Sequence, residues 1–184
     1  MKKIGGQIEY IRPKKDEIKV EISPSLSKVK MNMLALWGAA WTFSGIVIVI
    51  SLFTYGFNKD ELVMVGVFLI FWAYFEVKIV HAIRWNRGGK EIIEVKNGEF
   101  IYRKEINERG LPIKTKISQM RPFRYAEDTE KGFWSEINKS SWMVGGEVIE
   151  YAIDEKIKRL GMKIPKKDAN QLITLLNKTS GFNA

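Results

Sequence analysis

Between Lys30 and Lys59 the chain carries no Asp, Glu, Lys or Arg for 28 consecutive residues, and no other feature limits its fold as strongly. About 20 apolar residues in a helix cross the ~30 Å hydrocarbon core of a bilayer, so this run predicts a transmembrane helix. A second apolar segment, residues 62–83, follows after only Asn58, Lys59, Asp60 and Glu61. Its uncharged part, residues 62–75, would rise only about 21 Å at ~1.5 Å per residue, so a second crossing has to run past Glu76. Four connecting residues leave room only for an antiparallel hairpin, assigned to residues 31–84.

The net charge of +9 does not point to nucleic acid, because the basic side chains flank the apolar spans. Lys28 and Lys30 precede the first span, and Lys78, Arg84, Arg87 and Lys90 close the second. Lys and Arg gathered on one side are the positive-inside pattern, which predicts both termini in the cytoplasm and residues 59–61 outside. The polar residues 1–30 and the length of the first run predict a retained anchor rather than a cleaved signal. The chain has no cysteine, which excludes disulfides, thiolate metal sites and cysteine nucleophiles.

Within the hairpin, Ala35, Gly38, Ala39, Thr42 and Gly45 recur at spacings of three and four, a stripe of small residues along one helix face. Such stripes let helix backbones approach closely in lipid, here toward Gly66 and Ala73 of the second helix or toward a second copy of the chain. Trp37, Trp41 and Trp85 toward the cytoplasmic end, with Tyr55 and Phe57 at the other, form aromatic belts. Glu76 is an ionisable group inside a span, which is costly and marks a candidate polar site with Trp41 and His81 as partners. The competing expectation is interfacial: Lys78 and Arg84 lie nearby, where long side chains reach the headgroups. His81 is the only histidine and has no neighbouring carboxylates in sequence, a poor basis for a metal or catalytic site.

Ile18, Val20 and Ile22 alternate with Lys19 and Glu21, which predicts a short half-buried strand in the N-terminal segment, residues 1–30. An earlier extended piece, residues 8–11, is set apart by Pro13. The two are expected to lie against the downstream domain, with a disordered tail as the alternative. From residue 85 to 184 the pattern is one of short strands. Residues 91–95 and 99–106 flank Asn97-Gly98, a strong hairpin signal. Further strands are expected at 113–117, 120–125, weakly at 142–144, and at 148–153 and 157–162. Ala169, Leu172, Ile173 and Leu176, between Pro165 and Gly181, predict an amphipathic helix with start and stop signals. The fold class is therefore a membrane α-helical hairpin plus a mainly-β (α+β) cytoplasmic domain of about seven antiparallel strands and a C-terminal helix.

This order of elements resembles bacterial membrane proteins in which a two-helix hairpin precedes a pleckstrin-homology-like (PH-like) domain. The resemblance is carried by Gly89-Lys90-Glu91-Ile92-Ile93, Asn97-Gly98 and the strand to Ile106, by Ile117 and Met120, and by Val148-Ile149-Glu150-Tyr151. It continues through Ile157-Lys158-Arg159-Leu160-Gly161 to the helix from Asp168, and the lead-in at residues 8–13 also fits. It implies two sheets curved into a partly open barrel with the C-terminal helix plugging one end, and a bacterial cytoplasmic (inner) membrane location. Residues 134–142 with Gly145-Gly146 make a longer insert than the resemblance implies.

Fold does not confer function, and no lipid-binding residues follow from the resemblance. Lys114, Lys116, Arg121, Arg124, Lys131 and Lys139 form a candidate patch for anionic headgroups, each worth ~1 kcal/mol if held at the surface. Solvated strand faces are the alternative. Trp134 and Trp142 are expected on the membrane, the hairpin or in the core. No Gly-rich phosphate loop, nucleophile with a base, or carboxylate pair beside a histidine occurs, so neither an enzyme nor a cofactor or metal is expected. The expected function is a membrane-anchored interaction or scaffold module that engages a protein partner or another copy of itself. Anionic-lipid sensing is the second expectation, and an oligomeric ion or proton pathway through Glu76 the third.

Overall fold

The computed structural model describes residues 1–24, 26–126 and 144–182. Strands β1 (Lys2–Ile4), β2 (Ile8–Ile11) and β3 (Ile18–Ile22) precede two long helices, α1 (Lys28–Thr54) and α2 (Lys59–Gly88). The chain then forms β4 (Gly89–Lys96), β5 (Glu99–Ile106) and β6 (Ile113–Lys116). It continues through β7 (Arg124–Tyr125), β8 (Glu147–Ile153) and β9 (Lys156–Met162) to α3 (Lys166–Ser180).

Among the described residues all strand pairs are antiparallel and form a six-stranded sheet, β1-β2-β3-β4-β5-β6, and a three-stranded sheet, β7-β8-β9. The N-terminal segment thus contributes three strands to the larger sheet. In β3 the alternation is obeyed: Ile18, Val20 and Ile22 are buried, and Lys19 and Glu21 face out. Ile18 pairs with Val95 and Ile22 with Glu91, so the whole helical hairpin is an insertion between two neighbouring strands. Both helices consequently spring from the same end of the sheet.

Turn chemistry explains the tight connections. Asn97 (φ 53°) and Gly98 (φ 75°) turn β4 into β5, and Asp154 (φ 44°) and Glu155 (φ 69°) turn β8 into β9. Two successive left-handed residues give the turn whose twist matches that of the strands. Between the helices, Asn58 Oδ1 accepts from the Glu61 N–H at 3.0 Å while Glu61 Oε2 accepts from the Asn58 N–H at 2.9 Å. This reciprocal cap, worth ~1 kcal/mol, starts α2 immediately after the short loop.

One core joins both sheets and α3. Ile8, Val20, Ile93, Val95 and Phe100 come from the larger sheet, Ile149, Tyr151 and Leu160 from the smaller, and Ala169, Leu172 and Leu176 from the helix. Phe100, Phe123 and Tyr151 meet at ring-centroid distances of 5.2–5.6 Å. The helix is also pinned by its Asn177 amide, which accepts from the Phe123 N–H at 2.9 Å and donates to the Phe123 carbonyl at 3.0 Å. Gly181, at φ 75°, ends it.

The domain is α+β and antiparallel, but among the described residues its two ladders stay separate and do not close into a barrel. The strand expected at 120–125 shrinks to Arg124–Tyr125 because Pro122 has no N–H to give a ladder. Met120 retains one isolated bridge, to Ile153. Lys131, Trp134, Lys139 and Trp142, the loop expected at 127–135, most of the weak strand at 142–144 and most of the insert lie outside the described residues; Val144 is not in a strand.

Helices α1 and α2 are long and apolar enough to cross a membrane, and only 17% and 6% of their most apolar windows are buried. They are therefore not core helices of the β domain, whose interior is filled without them.

Candidate functional site at the junction of hairpin and β domain

The helices meet along α1 positions predicted from the small-residue stripe, but not with the expected counterparts. A Cβ at Gly38 would press on Ile79 at 3.0 Å and Ile83 at 3.2 Å, and one at Gly45 would fall inside the Trp72 indole. Gly66 has no neighbour within 4 Å of such a Cβ, and Ala73 is exposed. The smooth face of α1 is met by large side chains of α2, knob into groove, instead of by small ones.

Two tryptophans lock this contact. Trp72 Nε1 donates to the Trp41 carbonyl at 3.0 Å and Trp41 Nε1 to the Trp72 carbonyl at 3.4 Å, a reciprocal clasp between helices. Trp41 therefore does not partner Glu76, contrary to the sequence expectation, because its indole N–H is already committed. Glu76 Oε1 instead accepts from the Thr42 hydroxyl at 2.8 Å, and Oε2 is buried without a hydrogen bond. His81 is exposed, lies away from the helix interface, and borders the β domain.

Where the hairpin enters the domain, Trp85 is buried and separates two hollows. One, about 320 Å³, lies between the start of α1 and the two sheets, and Glu91, Lys30, Asn86, Ser27 and Lys163 line it. Glu91 has 1% exposure, although it stands in a strand with apolar neighbours. Its Oε1 accepts from the Met162 N–H at 2.7 Å, and its Oε2 accepts from the Gly161 N–H at 2.9 Å and the Tyr102 hydroxyl at 2.8 Å. Those donors lie on β5 and β9, so one carboxylate of β4 ties the two sheets together. Gly161 permits this by adopting φ 78°, a conformation that L side chains rarely adopt.

Burial pushes the Tyr102 phenol far above its ordinary value, and the adjoining Glu91 carboxylate adds to the effect. Burial, with Glu91 as the second cause, pushes Tyr151 up to about 12. Burial lowers the Lys163 ammonium, against the opposing pull of Glu147. For Glu147 burial alone would raise the carboxyl, but the Lys104 ammonium at 2.7 Å holds it below the ordinary carboxylate range. Both oxygens of Glu91 are thus engaged by donors from β5 and β9, a role in holding the two sheets.

The second hollow, about 460 Å³, lies between the last turns of α2 and the far end of β5, and carries His81, Arg84, Lys104 and Arg109 beside Trp85 and Ile106. Sequence reading assigned Arg84 only to the flank of the span and did not single out Arg109 or Lys104. Their convergence depends on the β5 end folding back on α2. The patch residues singled out from the sequence lie elsewhere: Lys114 and Lys116 on β6, Arg121 shortly before β7 and Arg124 on it. Lys116 shares a surface hollow with Glu99 and Asp16, and Arg121 and Arg124 share another with Glu150. Arg124 is ion-paired to Glu150 at 2.5 Å. Among the described residues no group of three or more His, Cys, Asp or Glu is arranged to hold a metal ion.

Compared with protein-family models, curated proteins and solved structures, the chain gives no significant match.

Proposed function

We propose that the protein is a membrane-anchored, non-enzymatic interaction module, its helical hairpin spanning a bacterial cytoplasmic membrane and its β domain working at the cytoplasmic face. The observation that carries this reading is the insertion of the hairpin between the hydrogen-bonded strands β3 and β4. Anchor and domain then form one body, and whatever the domain engages it engages at the bilayer surface. The exposed apolar surface of α1 and α2 needs lipid to cover it, since water around it would cost ~25 cal/mol for each Å². Basic side chains at the α1 start and the α2 end favour the cytoplasmic side.

The domain is read as PH-like: two antiparallel sheets over one core, with α3 closing one end through Ala169, Leu172 and Leu176. The non-enzymatic reading rests on the sequence, which carries no phosphate loop or nucleophile with a base. Crosslinking in the native membrane, followed by purification of the full-length protein and mass spectrometry, tests the module. A stoichiometric second protein crosslinked to the β domain is expected. A chain recovered alone, with crosslinks only within itself, would refute it.

A second reading, anionic-lipid recognition, is favoured by one observation: His81, Arg84, Lys104 and Arg109 line a single hollow at the last turns of α2.

A further inference from the structure

Resting on the membrane-anchored reading, we propose that the hollow between α2 and the end of β5 is a binding site for the phosphate of an anionic phospholipid headgroup. Four of its lining residues, His81, Arg84, Lys104 and Arg109, carry basic side chains, and among the described residues no acidic one lines it. Lys104 is shared with Glu147 at 2.7 Å, whereas Arg84 and Arg109 have no ion-pair partner among the described residues. Two guanidinium forks with no described carboxylate beside them match a phosphate, which such forks bind through paired charge-assisted hydrogen bonds.

The height of the hollow argues for lipid. A bilayer core of ~30 Å takes about 20 residues of helix at ~1.5 Å each. Counted from Leu62, the first apolar residue of α2, that places His81 at the inner edge of the core and Arg84 one turn further, among the headgroups. Trp85 and Ile106 supply apolar walls next to those charges. An acyl glycerol backbone meets the same sequence of apolar and charged surroundings at that depth.

The site is also built in advance. Asn107 (φ 50°) and Glu108 (φ 63°) turn the chain after β5, and Ile106 and Arg109 exchange backbone hydrogen bonds at 3.0 and 3.1 Å. The Asn107 N–H donates to the Gly88 carbonyl at 3.0 Å, fastening the turn to the end of α2. Gly88 and Gly110 leave the room this needs, because a Cβ at either would overlap the Asn107 side chain or the Lys104 carbonyl. The backbone of Arg109 is thereby held against the helix that carries Arg84, so only the two side chains remain to be ordered on binding.

The test uses the full-length protein in detergent with added phosphatidylglycerol or phosphatidylcholine, and native mass spectrometry to count retained lipid. Phosphatidylglycerol is expected to be retained preferentially. Arg84→Gln with Arg109→Gln should lower its retention by about tenfold or more, while Lys114→Gln with Lys116→Gln, an equal loss of charge on β6, should leave it unchanged. Equal retention of both lipids, or equal losses in both double variants, would overturn the site. So would displacement of the lipid by an equal concentration of inorganic phosphate, which would mark a free-phosphate site. Unchanged thermal unfolding midpoints identify variants that remain folded, and the single substitutions serve if the double one does not. Membrane fractionation after alkaline carbonate keeps the two readings apart: release of the unmodified protein would sink the anchor itself, whereas a retained protein without lipid preference would sink only this site.

Discussion

At the scale of single residues, Glu91 is the side chain on which the β domain depends most. Replacing it with Ala strands the Gly161 and Met162 N–H groups and the Tyr102 hydroxyl in the interior, each a loss of ~1–3 kcal/mol. Glu91→Ala should lower the thermal unfolding midpoint of the domain by at least about 10 °C, given ~4–8 °C per kcal/mol for a domain of this size. Gln is no remedy: both carboxylate oxygens receive a backbone N–H, so an amide nitrogen must face a donor whichever way it is turned. A fall of under about 3 °C for Glu91→Ala would mean that the carboxylate does not join the sheets. Glu147 gives a pH signature. Its folded carboxyl is held below the ordinary value, so the Lys104 pair stabilises the domain above that ordinary value and the gain disappears as pH falls through the lowered one. Glu147→Gln should therefore reduce the unfolding midpoint at neutral pH and make no difference once acid has protonated the carboxylate, and a penalty independent of pH would contradict the pairing.

At the scale of elements, the two helices are held by a size match that small-residue spacing only half reveals. Gly45→Val would drive a side chain into the Trp72 indole and break its hydrogen bond to the Trp41 carbonyl. Overpacking of this kind costs ~1–3 kcal/mol. Gly66→Val, with open space around it, should cost little. Thermal unfolding in detergent distinguishes the pair, and equal sensitivity at the two glycines would refute the clasp. Thr42→Val removes the only hydrogen bond to Glu76 among the described residues, at a cost of about 0.6–1.7 kcal/mol for an interhelical bond in a membrane. Thr42→Ser keeps the hydroxyl and should restore most of it.

At the scale of the whole molecule, the insertion of the hairpin makes a strong topological prediction. Because Ile22 pairs with Glu91, residues 23–90 can be replaced by a two-residue Asn-Gly turn without moving either strand. That shortened chain is expected to be water-soluble, with a β-rich circular dichroism spectrum and a cooperative melt. Residues 85–184 alone should not melt cooperatively, since β4 loses its partner and the core loses Ile8, Ile18 and Val20. A cooperative fold for 85–184, or none for the shortened chain, would show that β1–β3 do not belong to the sheet.

Much of this is legible along the chain because it is local. The uninterrupted apolar run and the apolar segment after it determine two long helices, the 2.0-residue alternation determines β3, Asn97-Gly98 determines the β4–β5 turn, and the spacing from Ala169 to Leu176 with Gly181 determines α3. Glu91 also left a trace, sharing the two-residue period of the buried Ile93 and Val95 instead of an exposed face. What no local pattern carries is which distant segments meet. Only the tertiary structure decided that β3 and β4 are neighbours across the hairpin, that Trp72 rather than Gly66 faces α1, and that Thr42 rather than Trp41 reaches Glu76. It likewise brought Arg109 to Arg84, 25 positions apart in the numbering. Periodicity assigns a residue to a face, whereas pairing and pocket chemistry depend on close packing between elements whose separation in sequence says nothing about their separation in space.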